Sequence, residues 1–233
     1  MISFKESGFI KQLLSTRTAS KLLFTMVLLT IFFVPMIPVK LHPAVYNMMF
    51  TSILILGTQL ISKKRITTLF FVIIAVSMVW IADAMELEAI KAISKGINIL
   101  LFILIVFDLG KQVSMANKIS TDVILEAVIA YLMIGLAFSL MVALTLIVDP
   151  HAYNLGISNS PVAQPESPLH QCVYYAFVTM TTTGYGDIVP MNPMSRSLAI
   201  FISVTGQLYV AIVIALLIGK YISQQGHDGR KYQ

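Results

Sequence analysis

The chain has 233 residues, 57% of them hydrophobic and only 12% charged, with 16 Lys and Arg against 11 Asp and Glu for a net charge of +5. Ordinary soluble domains carry about 25% charged residues, so a water-soluble enzyme would be left with large uncovered apolar patches. The single cysteine, Cys172, can form no internal disulfide and has no neighbouring Cys or His cluster with which to hold a metal.

A hydrocarbon core of about 30 Å needs about 20 apolar residues per helix. Runs of this kind occur at 22–39, 44–61, 66–82, 97–113, 122–148 and 194–222. They predict an all-α integral membrane fold with six transmembrane helices. Pro35 and Pro38 mark a kink or exit near the end of the first run. Ser62, Lys63, Lys64 and Arg65 bound the second and Asp83 the third, because desolvation keeps charges at the membrane edge. The fourth run is the least regular: Lys91 and Lys95 precede it, Asp108 sits inside its far end, and Ile97 to Phe107 holds no basic residue. A helix that moves in the membrane field needs regularly spaced Arg or Lys. Voltage sensing by that route is therefore not expected.

With the N-terminus inside, only Lys40, Lys91, Lys95 and Arg196 of the 16 basic residues fall outside. The positive-inside rule then puts both termini in the cytoplasm, at a plasma membrane expected to be a bacterial inner membrane. Basic residues beside anionic lipid headgroups account for the net charge without a nucleic-acid partner. The resulting organisation is a cytoplasmic segment at 1–21, a four-helix unit at 22–113, a linker at 114–121, a pore unit at 122–222 and a tail at 223–233.

Asp149 and Pro150 end the fifth run, and a polar loop leads to Pro168. From His170 to Thr181 come about a dozen helix-compatible residues, too few to cross a bilayer, so this segment is expected to enter the membrane and return. Thr182, Thr183, Gly184, Tyr185, Gly186 and Asp187 follow. Irregular backbone at membrane depth is tolerated only where it is buried in protein or lines water. Gly184 and Gly186 reach positive φ at little cost, which lets successive carbonyls turn one way and form a column of oxygens.

This string resembles the selectivity-filter signature of tetrameric potassium channels, and the resemblance covers roughly residues 121–222 as outer helix, pore helix, filter and inner helix. It implies a homotetrameric pore in which three identical subunits join each chain, with K+ held by the carbonyls of Thr182, Thr183, Gly184 and Tyr185 and by the Thr182 hydroxyl. It also implies that Asp187 lies at the outer mouth and that Tyr174 and Tyr175 pack behind the filter, with hydroxyls in reach of Asp187 or Tyr185. Thr183 departs from the family pattern, which has Val or Ile there. Its hydroxyl needs a partner against the pore helix.

In the last run, Gly206 resembles the hinge of related inner helices and suits close helix packing equally well. Ile214, Ile218 and Ile222, with Val210 before them, recur every four residues and by family analogy face the pore as an apolar gate. The function implied is passive K+ conduction, with no enzyme chemistry, no cofactor, and membrane lipids as surroundings. The alternatives are a weakly selective cation channel and, further off, an ion-coupled transporter, which would need broken helices or buried charges in both halves.

Overall fold

The computed structural model describes residues 16–60, 65–85, 88–116, 119–154 and 168–229. The first part of the expected N-terminal segment, Ser62 to Lys64, most of the polar loop before Pro168, and residues 230–233 lie outside the described residues. In chain order the elements are α1 (Thr16–Phe32), α2 (His42–Leu60), α3 (Arg65–Met85), α4 (Glu88–Met115), α5 (Thr121–Val148), β1 (Tyr153–Asn154), α6 (Pro168–Met180), β2 (Val189–Pro190) and α7 (Pro193–Gly229).

Several boundaries differ from the apolar runs, among them the start of α1, which lies at Thr16 inside the segment expected to be cytoplasmic. α1 stops at Phe32 instead of running to 39, and the chain leaves through two 3₁₀ turns at Val34–Met36 and Val39–Leu41. Pro35 lacks the N–H that a continuing helix would need, and Ile37, before Pro38, is extended at φ −82°, ψ 154°. α4 begins at Glu88, not near 97, and α7 continues past 222 to Gly229, into the expected tail. Hydropathy reports where lipid ends. It does not report where backbone hydrogen bonding ends, and Glu, Ala, Lys and Gln are good helix formers.

Among the described residues, five stretches are long and apolar enough to span a membrane: Thr18–Met36, Val39–Leu60, Ile93–Met115, Thr121–Val148 and Pro193–Ile222. The α3 helix has 21 residues, but its apolar stretch among the described side chains is the shorter Thr68–Met78. Local signals set the two helices that matter most. Ser120 caps α5, its side chain accepting from the Val123 amide at 3.4 Å, with Asp122 in the first turn. Asn192 caps α7, where Oδ1 accepts from the Ser195 amide at 2.8 Å and Pro193 opens the helix at no hydrogen-bond cost.

Lipid tails are as apolar as leucine, so contacts between these helices depend on shape more than on exclusion of water. One cluster joins Leu23 of α1, Tyr46 and Leu54 of α2, Phe102 and Ile105 of α4 and Met133 of α5, and reaches Val173 of α6. The apolar core is therefore continuous across the boundary drawn at 113. A second cluster, with Phe138, Val142, Tyr153, Tyr175, Met180 and Ile202, joins α5, α6 and α7. Gly135 lets α6 close onto α5: a methyl there would collide with the Phe177 ring.

Hydrogen bonds define the two ends of the bundle. At one end the Gln112 side chain of α4 donates to the Leu60 carbonyl at the end of α2, at 2.9 Å. Lys220 of α7 donates there to the Val113 and Ser114 carbonyls at 2.7 and 2.6 Å. A cation on the last carbonyls of α4 meets both their unpaired lone pairs and the negative end of the helix dipole. At the opposite end β1 pairs antiparallel with β2, Tyr153 facing Pro190 and Asn154 facing Val189.

Candidate functional site

The segment between α5 and α7 enters and leaves at one end of the bundle. β1 and β2 stitch its two limbs together, the Met191 amide donates to the Ala152 carbonyl at 2.8 Å, and Asn192 Nδ2 donates to Asp149 Oδ2 at 2.7 Å. Asp149 also accepts from the His151 amide at 2.9 Å. These two donors, the His151 amide first, hold its carboxyl below the usual carboxylate range. Between the stitches α6 descends for 13 residues, about 20 Å at the ordinary helical rise, which falls short of a hydrocarbon core.

The depth is checked from the other side. Gly206 lies roughly 20 Å along α7 from its start, and a Cβ built on it would land on the carbonyl and side chain of Met180, the last residue of α6. The contact is with backbone and cannot move aside. α7 runs as unbroken helix through this point, so close approach is the requirement that the structure places on Gly206. Ser203, one turn earlier, donates to the Thr179 carbonyl at 3.3 Å.

From the end of α6 the chain returns through residues 182–187. Thr182, Gly184 and Gly186 have φ of +59°, +55° and +79°, and Thr183 and Tyr185 between them do not share the positive sign. Alternation in the sign of φ lets successive peptide N–H groups turn to one side and the carbonyls to the other, unlike a strand, where they alternate. The N–H side is occupied. The amides of Thr181, Thr182, Thr183 and Gly184 donate to the carbonyls of Phe177, Thr179, Val178 and again Val178, at 2.9, 3.0, 3.0 and 3.3 Å. The last turn of α6, which would otherwise end in unpaired acceptors, holds the loop this way. The negative end of the α6 dipole accordingly lies beside the loop, where it favours a cation.

The side chains around the loop are arranged less symmetrically than the motif implies. Tyr174 donates to Asp187 Oδ2 at 2.6 Å, and Asp187 Oδ1 accepts from the Ile188 amide at 3.0 Å, so Asp187 is tied back to α6. Tyr175 does not join it. It is buried, with its ring 5.0 Å from that of Tyr153 in β1 and edge-on at 65°. Consecutive helical residues point about 100° apart, so the two adjacent tyrosines face different neighbours. Within this chain Tyr174 is the one that reaches Asp187, while Tyr175 packs on the strand that closes the segment and hydrogen-bonds Thr179 of α6.

The Thr183 hydroxyl finds its partner in Thr181, at 2.9 Å, and Thr181 donates to the Phe177 carbonyl at 2.8 Å. Thr182 uses its hydroxyl differently, donating to the Thr181 carbonyl at 2.6 Å. Residues 181–187 are all exposed in the single chain, Tyr185 at 72%. Ile214, Ile218 and Ile222 are exposed as well, further along α7. Sequence reasoning did not single out Thr181, Ser203, Tyr153 or the Asp149–Asn192 clamp. Only the clamp had a local signal, the Asn192–Pro193 start of a helix placed after Asp149–Pro150.

Residues 144–223, about a third of the chain, match the family model described as an ion channel. This stretch runs from the last turn of α5 through β1, α6, the loop and β2 and along most of α7. The match indicates ion channel activity, and the apolar helices around it are those of a membrane protein. No curated protein and no solved structure matches the chain.

Proposed function

We propose that the protein is a potassium-selective channel: four copies surround one axis, and K+ crosses passively between stacked carbonyls of Thr182, Thr183, Gly184 and Tyr185. The observation that carries this reading is the alternating sign of φ from Thr182 to Gly186 in a loop whose Thr182, Thr183 and Gly184 amides are already bonded to α6. Among the described residues nothing donates to the carbonyls of Thr182, Thr183, Gly184 or Tyr185. At membrane depth such groups need water, a cation or protein. A dehydrated K+ seated among four such columns meets that need, and the K+ in turn recovers its lost hydration oxygens. The Thr182 hydroxyl spends its proton on Thr181 and keeps its lone pairs for the innermost ion.

The same reading makes the exposed face of α7 an interface and a lining. Ile214, Ile218 and Ile222 form a ring that closes by dewetting, Gly206 seats α7 on α6, and Asp187 with Tyr174 holds the mouth. The channel lies in a plasma membrane with both termini in the cytoplasm.

The test is flux through the full chain reconstituted in liposomes, with potassium and sodium gradients compared, followed by the reversal potential under bi-ionic conditions. Potassium flux with a reversal shifted toward the potassium equilibrium is expected. Equal passage of both ions makes the protein a weakly selective cation channel instead. Gly186→Asp, which places a side chain at φ +79°, abolishes the discrimination.

A further inference from the structure

Three consecutive threonines, Thr181 to Thr183, carry three hydroxyls in one turn of chain, and the structure gives each a different bond. A hydroxyl has one proton to donate. That of Thr181 is committed to α6, at 2.8 Å from the Phe177 carbonyl and 3.3 Å from that of Val178. In the 2.9 Å contact between Thr181 and Thr183, Thr183 is therefore the donor. The result is a directed chain, Thr183 hydroxyl to Thr181 hydroxyl to Phe177 carbonyl, parallel to the amide bonds that Thr183 and Gly184 make to Val178.

This chain braces a strained place. Thr182 is β-branched and sits at φ +59°, where side chains other than glycine are disfavoured. Such a conformation persists only when its surroundings over-determine it. The residue before Thr182 and the residue after it are the two that the hydroxyl pair joins. The pair therefore spans the peptide planes on both sides of the strained residue.

We infer that Thr181 is a positioning residue for ion discrimination: by taking up the Thr183 proton it clamps the two peptide planes around Thr182, which an orphaned Thr183 hydroxyl would disturb. The inference rests on the proposed filter and deepens it. Thr183 touches no ion in this account; its hydroxyl works on the α6 side of the loop.

An unpaired donor costs more than the loss of both partners, and this asymmetry supplies the test. Permeability ratios for potassium over sodium are measured from bi-ionic reversal potentials of the reconstituted full chain and its Val variants. Thr181→Val leaves the Thr183 hydroxyl without its acceptor and is expected to lower the ratio roughly tenfold. Thr183→Val keeps the shape and leaves the Thr181 bond to α6 in place, so its ratio stays within about threefold of the parent. Adding Thr183→Val to Thr181→Val restores most of the lost ratio, and Thr181→Ser, which keeps the hydroxyl, behaves as the parent. An unchanged ratio in Thr181→Val overturns the inference, as does a double variant no better than Thr181→Val alone. Should Thr181→Val fail to assemble, assembly of the double variant is read in its place: rescue supports the clamp and failure of rescue overturns it. A parent that does not discriminate between the two ions removes the filter reading and the clamp together. A selective parent with an unchanged Thr181→Val removes the clamp alone.

Discussion

α5 and α7 are nearly equal in hydropathy, yet 67% of the apolar window in α5 is buried within the chain and only 11% of that in α7. α5 is enclosed by α1, α4, α6 and α7, whereas α7 leans on α5, α6 and β2 and reaches the end of α4 through Lys220. Composition places both in a membrane and is silent about which meets protein. The contrast teaches that α7 is a partly built surface. Its contacts with α6 depend on backbone reaching backbone at Gly206, while its far face, with Leu208, Ile212, Ile214 and Ile218, stays about half exposed among the described residues.

Substitutions that treat the two sides of α7 differently sharpen this contrast. The largest effect is expected at Gly206. Alanine favours helix by about 1 kcal/mol over glycine, but here the added methyl meets the Met180 carbonyl, and overpacking of this kind costs about 1–3 kcal/mol or more. Gly206→Ala should lower the thermal midpoint in detergent, whereas Gly219→Ala, on the same helix with nothing within 4 Å of its would-be Cβ, should raise it. If both raise it, α7 is not seated on α6. A smaller loss, about 1 kcal/mol in the same melt, is expected for Lys220→Met, which strips the cation from the end of α4. Equal stability would show that water satisfies those carbonyls as well.

The smallest effect is one of pH, at the clamp that closes the re-entrant segment. The Asp149 carboxyl is held below the usual range by the His151 amide and Asn192, so its stabilisation is complete at neutral pH and is lost as pH falls through the lowered value. The stability difference between the parent and Asp149→Asn should be constant at neutral pH and narrow as pH drops below about 4. A difference that stays constant on acidification would mean that the clamp works by shape and not by charge.

The loop was legible because its requirements are local. Gly184 and Gly186 announce positive φ by residue type, and a dozen helical residues before them announce a segment too short to cross. Thr182 at φ +59° carried no such announcement: a β-branched residue there is decided by the bonds that α6 makes to its neighbours. Tyr174 and Tyr175 are adjacent in the chain, and helical geometry gives them different neighbours, Asp187 for the first and Tyr153 for the second. Gly206 was readable as a special position but not as a contact, since Met180 is far from it in sequence.

By itself the sequence determined a membrane protein, the order of its helices and the one segment that turns back, because hydropathy, proline and glycine act through nearest neighbours along the chain. Which face of α7 meets α6, which tyrosine reaches Asp187 and where the Thr183 hydroxyl goes were decided only in the tertiary structure. Those outcomes depend on distances between residues that the backbone brings together after the helices have packed, and no local preference encodes them.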